Sequence, residues 1–478
     1  MGSTDAVAAI QTAFTTDQIL LPGNDLYEKR NGSYLSQLEG DIKPACIFQP
    51  RTKEEVSQFV KLIKPFVGDG KVAFAIRGCG NMPAPGCANI EGGITLDLGL
   101  LTELSLGENT VSVGAGVPWA AVNETVQDAG RGVTGGRAGK GGIGGLALAG
   151  GLSFFSSREG FICDNVFSFE IVLASGEIVN ASAKENSDLW KALKGGSNNF
   201  GIVTKFELLT FKQGPFWGGN IYYFPPSFPS QIDALVNELQ KPDADPETHL
   251  MVSIGYAAQF GGSACMNTVY YTKEGVEDPP VLKPFTAIEP QIPQLNSLKT
   301  ITLTEAAAGQ DAGVSLQTRC AYMNLSVKAD AATLKAASDI YTAAFEPIKD
   351  AAGLICSLTF QPYAVSLLEQ SVAKGGNSLG LLPRDGAVVS VLLLTYWGSK
   401  DDDERIIAAF KGALEKIRVV AQENGTLRDH VYLNYSFNFQ DPISSYGEEN
   451  KRSLQEVSKK YDPEGLFQKG VPGGFKLF

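Results

Sequence analysis

The chain has 478 residues, 44% hydrophobic and 19% charged, a composition ordinary for globular proteins and too long for one hydrophobic core, so roughly two to four structural units are expected. A formal net charge of −12 without a concentrated lysine and arginine surface excludes a nucleic-acid partner. No apolar run reaches the ~20 residues of a membrane span, and Met1–Asp5 lacks the basic region of a secretory leader, so no membrane partner and a cytoplasmic location are expected.

Residues 1 to about 45 read as a helix and an extended approach, with Pro22-Gly23-Asn24-Asp25 as a turn. Val56, Phe59, Val60 and Ile63 stand at helical spacing and predict an amphipathic helix over Glu54–Phe66. It delivers the chain into an apolar strand, Val72–Ile76. Strands near Ile94–Leu98 and Thr110–Val113 come next, and Pro118 opens a helix running to Gln127. Phe167–Ala181 alternates on either side of Ser175-Gly176 and reads as a hairpin. Asp188–Lys194 is a short helix ended by Gly195, and Gly201–Phe211 is a strand.

The composition shifts at Gly214-Pro215-Phe216-Trp217. From there to about Gly425, helices at Ser230–Leu239, Asp330–Ala352 and Asp402–Gln422 alternate with strands at Leu250–Gln259, Thr268–Thr272 and Val388–Trp397. This is the pattern of an α+β domain, one sheet with helices on one face. Glu448–Lys460 is a final helix closed by Asp462-Pro463. The expected organisation is residues 1–213, a middle domain 214–425, and a segment 426–478 returning to the first part. Seven cysteines form no C-x-x-C pair, and an odd count cannot all pair internally. A reducing compartment fits, with one disulfide left open.

Glycine is the outlier: 53 residues, about 11% against an average near ~7%. The excess gathers in Ile76-Arg77-Gly78-Cys79-Gly80-Asn81 and in Gly135–Gly151, where missing Cβ atoms let backbone N–H groups approach a charged ligand. Gly142-Ile143-Gly144-Gly145-Leu146-Ala147 also fits the G-x-G-x-x-A dinucleotide pattern. Its context fails that reading, because Gly135-Gly136-Arg137 precedes it instead of a strand and Gly150-Gly151 interrupts the helix that should come after it.

Arg77–Asn81, Gly92-Gly93-Ile94-Thr95-Leu96-Asp97-Leu98 and Gly142–Gly151 together resemble the FAD-binding domain of the vanillyl-alcohol oxidase superfamily. Asp164-Asn165-Val166, Ile171–Glu177, Asp188–Gly196 and Asn199–Thr204 continue the likeness, and Tyr432-Leu433-Asn434-Tyr435 with Tyr461-Asp462-Pro463 resembles the berberine-bridge-enzyme signature, closest to fungal FAD-linked oxidases. The resemblance implies a two-part FAD domain whose cofactor contacts fall at Ile76, Arg77, Gly78, Cys79, Gly80, Asn81 and Met82. Further contacts fall at Ala138, Gly142, Ile143, Gly144 and Gly145, and at Asn165, Gly201, Ile202, Val203 and Asn434. It also implies a middle-domain sheet that covers the flavin over the substrate.

Many relatives carry a His at the position of Asn81 that bonds the flavin 8α carbon, and a Cys at the position aligned with Ala138 that bonds C6. An amide and a methyl cannot form these bonds, so FAD is expected to be held non-covalently, by backbone N–H groups and ring packing. Cys79 is expected to aim its backbone, not its thiol, at the pyrophosphate. Tyr435 is the leading candidate for a catalytic base; at a free pKa of about ten its phenol needs a cationic or hydrogen-bonding environment. Tyr322, Tyr396 and Gln361 are candidates from the covering sheet. No G-x-S-x-G elbow and no metal-ligand spacing is present, and His249 and His430 are each expected to cap a strand or lie at the surface. The implied activity is an oxidoreductase passing hydride from a small-molecule, secondary-metabolite-like substrate to flavin N5, with molecular oxygen as acceptor. The alternatives are a flavin-retaining isomerase or pericyclase, and a non-catalytic flavin-binding protein.

Overall fold

The computed structural model describes residues 2–311 and 318–478. Its first sheet has four strands in the order Ile19–Leu20, Cys46–Phe48, Ile94–Asp97, Phe74–Arg77. The last three run parallel, so a crossover must join the second to the fourth, and the helix Lys53–Gly68 supplies it. Thr52 caps that helix by accepting from the Glu55 N–H, and Val56, Phe59, Val60 and Ile63 are buried on its inner face.

An antiparallel sheet comes next: Leu104–Leu106, Thr110–Gly114, Ile202–Lys212, Val166–Val172 and Ile178–Ser182, with Arg131–Val133 paired to the far end of the long Ile202–Lys212 strand. The expected hairpin turns at Gly176, whose φ of +80° suits glycine. Both sheets share one hydrophobic core, and Leu454 and Val457 of the terminal helix Glu448–Tyr461, with Phe475 and Leu477, are buried in it.

The third sheet has eight strands: Lys299–Ile301, Phe216–Tyr223, Gly262–Tyr271, Thr248–Ala257, Ile355–Tyr363, Val388–Trp397, Arg319–Lys328 and Leu427–Arg428, every pairing antiparallel. Side chains alternate across it with the period of two that a pleated strand imposes. Leu250, Val252, Met323, Leu325, Leu358, Phe360, Val391 and Leu393 form a second core with the helices Phe228–Leu239, Ala331–Phe345 and Asp403–Glu423. Their neighbours Met251, Tyr322, Gln361, Leu392, Leu394 and Tyr396 line a cavity on the opposite face.

Several expectations are corrected. The extended approach before residue 45 is instead two short helices, Asp25–Asn31 and Gln37–Gly40, each capped by a polar side chain, Asn24 and Ser36. The helix expected to reach Ala352 ends at Phe345 and tightens into a 3₁₀ turn, Glu346–Ile348, at Pro347. His249 and His430 are both buried, not superficial. His249 packs edge-on to Phe154 and His430 stacks on Tyr446; desolvation holds His249 well below the usual histidine range and lowers His430 to about 4. All seven cysteines are free thiols. No helix among the described residues is long and apolar enough to cross a membrane.

Candidate active site

A cavity of about 610 Å³ lies between the two glycine loops and the inner face of the eight-stranded sheet. From the first loop Ile76, Gly78, Cys79, Gly80, Asn81 and Met82 line it, and from the second Ala138, Gly142, Gly144 and Gly145. Gly201, Ile202, Val203, Asn434, Tyr435, Tyr396, Tyr322 and Gln361 complete the expected set.

The glycines matter here for close approach. Gly78 and Gly144 pack together at the end of the Thr110–Gly114 strand: a Cβ on Gly144 would lie 3.7 Å from the Gly78 Cα and 3.2 Å from the Ala115 carbonyl oxygen. A Cβ on Gly142 would fall 2.2 Å from the Cys79 sulfur. The thiol thus fills the space beside Gly142, 3.8 Å from the Gly116 carbonyl oxygen, and burial pushes its pKa up. Gly145 is different, because a Cβ there meets no protein atom within 4 Å and points into open space. Asn81 and Ala138 flank one glycine: a Cβ on Gly141 would sit 3.5 Å from the Asn81 amide nitrogen and 3.4 Å from the Ala138 carbonyl oxygen.

Three expected contacts are not at the cavity wall. Ile143 is buried in the core. Arg77 is fully buried, with its guanidinium 3.7 Å from the Tyr34 ring centroid. It donates to the carbonyls of Arg30 and Ser33 and so ties down the segment ahead of the loop. Asn165 donates to the Glu159 and Phe161 carbonyls and accepts from Lys374 at 2.6 Å. It closes a turn against the middle segment of the chain. Asn434 lines the cavity, but its amide nitrogen is committed to the carbonyls of Leu146 and Ala149 and to the Tyr432 hydroxyl. It holds the second loop in place, leaving its Oδ1 for any pyrimidine contact.

The residue sequence reasoning missed is Arg137. Its Nη2 donates to the Tyr435 hydroxyl at 2.8 Å and to Gln361 Oε1 at 2.7 Å, and Tyr435 in turn donates to Gln361 Oε1 at 3.1 Å. The only signal of Arg137 in the sequence is an arginine set within the glycines 135, 136, 139, 141 and 142. Tyr322 and Tyr396 hydrogen-bond each other through their hydroxyls. The Tyr322 ring stands edge-on to Tyr435, centroids 6.2 Å apart. Desolvation raises both pKa values, which favours the protonated hydroxyls. Tyr432, also at the cavity, accepts from the Gly151 N–H at 2.9 Å and fixes the end of the second loop.

FAD fits these residues on two counts. The cradle at Gly78, Gly144 and Gly145 exposes backbone where side chains would otherwise fill the space. Among the described residues Asp311 is the single carboxylate lining the cavity, and it accepts from the Lys140 backbone N–H, so little negative charge opposes a pyrophosphate.

Comparison with known proteins agrees. Residues 44–182 match the FAD binding domain family. The fold is similar along its whole length to that of the Physcomitrella patens BBE-like 1 protein (TM-score 0.78, 18% identity, 100% of each chain). It is also similar to glucooligosaccharide oxidase from Acremonium strictum, which carries 6-S-cysteinyl, 8α-N1-histidyl FAD (TM-score 0.76, 19% identity, 96% of this chain and 97% of that one). The molecule thus has the fold of the berberine-bridge-enzyme-like flavoproteins, with an FAD binding domain at residues 44–182.

Sequence relatives narrow the class. An FAD-dependent monooxygenase of Cercospora beticola is 33% identical, covering 98% of this chain and 91% of the relative. Another, of Cochliobolus heterostrophus, is 32% identical over 93% of this chain and 87% of the relative. The chain belongs to this family of fungal FAD-dependent oxidoreductases.

Proposed function

We propose that the chain oxidises a small-molecule alcohol or carbon skeleton with non-covalently held FAD and with molecular oxygen as final acceptor. The observation that carries this reading is the Arg137–Tyr435–Gln361 triangle, with all three contacts between 2.7 and 3.1 Å, at the wall of the cavity that holds the glycine cradle. When bound, FAD supplies a two-electron acceptor for hydride from a substrate carbon. As the phenolate, its own proton released to solvent beforehand, Tyr435 takes the accompanying proton from the substrate hydroxyl, and Arg137 offsets the charge on the phenolate oxygen. In the resting phenol form Gln361 accepts from both and fixes their spacing. Leu392, Leu394 and the protonated Tyr322–Tyr396 pair wall the substrate space and exclude water.

The non-covalent reading rests on Asn81 and Ala138, neither of which carries a nucleophile. Of the described lining residues only Cys79 and Cys87 bear thiols; Cys79 is packed against Gly142, and burial pushes Cys87 up to about 12. Oxygen as acceptor is supported by the names of the relatives, monooxygenases by sequence and oxidases by structure. The second core, drawn almost wholly from residues 214–425, supports that span as the substrate part and residues 1–213 with 426–478 as the FAD part, although Leu303, Leu367, Leu368 and Leu379 of the middle span pack into the first core. Anaerobic mixing with substrate tests the proposal: the flavin absorbance should bleach and return when air is admitted. A flavin that stays oxidised while product forms would instead indicate isomerase or pericyclase chemistry.

A further inference from the structure

Arg137 is only partly satisfied. Its Nη2 serves Tyr435 and Gln361, while among the described residues Nη1 finds only the thioether sulfur of Met251, at 2.7 Å. Sulfur of that kind is a weak acceptor. No ion pair joins Arg137 to a carboxylate among the described residues, and the one acid lining the cavity, Asp311, accepts from the Lys140 backbone N–H instead. Gln361 uses its Oε1 twice, and its Nε2 has no hydrogen-bond partner among the described residues. Two donors, one of them charged, therefore stand beside a wall of Met251, Leu392, Leu394, Tyr322 and Tyr396. Arg137 is half-buried at the wall of this largely apolar cavity, where a cation without a counter-ion is open to a charge-assisted hydrogen bond from a ligand anion.

We infer that the substrate carries an acidic oxygen, bound as its anion by Arg137 Nη1 in place of the Met251 sulfur, with its carbon frame on the aromatic and aliphatic wall. This deepens the proposed function, since it rests on that reading for where the substrate lies. Binding an acidic hydroxyl in this way releases one proton to the solvent and changes no oxidation state. The aromatic wall suits a planar phenol or enol, and an aromatic carboxylate offers the same charge.

The test is calorimetric titration of the oxidised, flavin-loaded protein with 4-nitrophenol against 4-nitroanisole and with benzoate against benzamide. Each anion should bind at least about tenfold more tightly than its neutral counterpart, the order expected of one charged hydrogen bond. 4-Nitrophenol, titrated below its own pKa in buffers of differing ionisation heat, should release a proton. The benzoate arm tells a carboxylate from a phenolate. Arg137→Gln should abolish the preference, and Arg137→Lys should restore part of it. Equal binding of anion and neutral analogue by the wild type, or a preference that survives Arg137→Gln, overturns the inference. The wild-type comparison decides even if neither variant folds. Because no turnover is read, a flavin that is never reduced would sink the oxidoreductase reading and leave this result standing; neutral-only binding by an enzyme that turns over would sink the anion alone.

Discussion

Arg137 and Tyr435, 298 positions apart in the chain, meet at 2.8 Å, guanidinium Nη2 to phenol oxygen. Gln361 closes the triangle from a third segment, accepting from both. The second glycine loop, the covering sheet and the turn Leu433–Tyr435 thus converge on one oxygen. Opening any corner leaves the other two without their spacing.

Residues that act as a unit are non-additive. Arg137→Met and Tyr435→Phe should each slow anaerobic flavin reduction by roughly 10²- to 10⁴-fold, the usual cost of a lost positioned base. The double variant should be no more than about threefold slower than the worse single one, by the same logic of shared function. Stopped-flow rates on the four proteins give the cycle; independent, multiplying effects would mean the two residues do separate jobs.

Gly145 and Gly80 separate ligand contact from fold. A Cβ on Gly145 meets no protein atom within 4 Å, whereas one on Gly80, at φ +71°, would lie 2.8 Å from the Tyr34 ring. Gly145→Val should keep the apoprotein's melting temperature while weakening FAD binding roughly 10- to 100-fold, the range for forced overpacking. Gly80→Ala should lower the apoprotein's melting temperature itself, because a left-handed conformation costs an L-residue roughly 1–2 kcal/mol. Flavin titration and calorimetric melting of the apoproteins read the two effects apart.

The cofactor should come free on acid precipitation, because Asn81 and Ala138 carry no nucleophile and the Cys79 thiol is packed on Gly142. The yellow colour is expected in the supernatant, for Cys79→Ser as for the wild type. Colour retained in the wild-type pellet and lost in that variant would identify a thioether.

His430 links acidity to stability. Its imidazole is lowered to about 4 by burial from an ordinary 6.5, so the unfolded chain takes up a proton before the folded one does. The stabilisation is present above pH 6.5 and is lost as pH falls from there towards 4, at most about 3 kcal/mol by linkage. His249, also lowered by burial, acts in the same direction. His430→Asn keeps a donor for the Leu379 carbonyl, 3.1 Å from the ring nitrogen, and should flatten part of the decline in melting temperature across that window.

Much of the first domain is legible in the chain because its signals are local: a capped amphipathic helix between parallel strands, a Ser-Gly hairpin, and glycines where backbone must be exposed. The middle sheet is harder. Arg319–Lys328 does alternate, with Ala321, Met323, Leu325 and Val327 packed in the helix-side core and Tyr322, Asn324 and Ser326 between them, a period-two signal that sequence reasoning missed. Ile355–Tyr363 is disguised by Pro362, which argues against an inner strand. Pro362 is tolerated because pairing to Thr248–Ala257 stops at Phe360, so its missing N–H costs no ladder bond on that side. Arg137 is invisible for a different reason: both of its strong acceptors lie more than 200 positions away, 224 and 298, and within its own loop it looks like one polar residue among glycines. The two histidines stand in segments that read as strand ends, and only the packing of Phe154 and Tyr446 against them shows that they are core.

The most direct measurement is the anaerobic reduction of bound FAD by the wild type and by Tyr435→Phe, with the alcohol that bleaches the wild type fastest in a panel of benzylic and allylic alcohols. The expected result is equal FAD occupancy and a reduction rate in Tyr435→Phe lower by roughly 10²- to 10⁴-fold. Reduction of Tyr435→Phe at the wild-type rate would contradict the assignment of Tyr435 as the base.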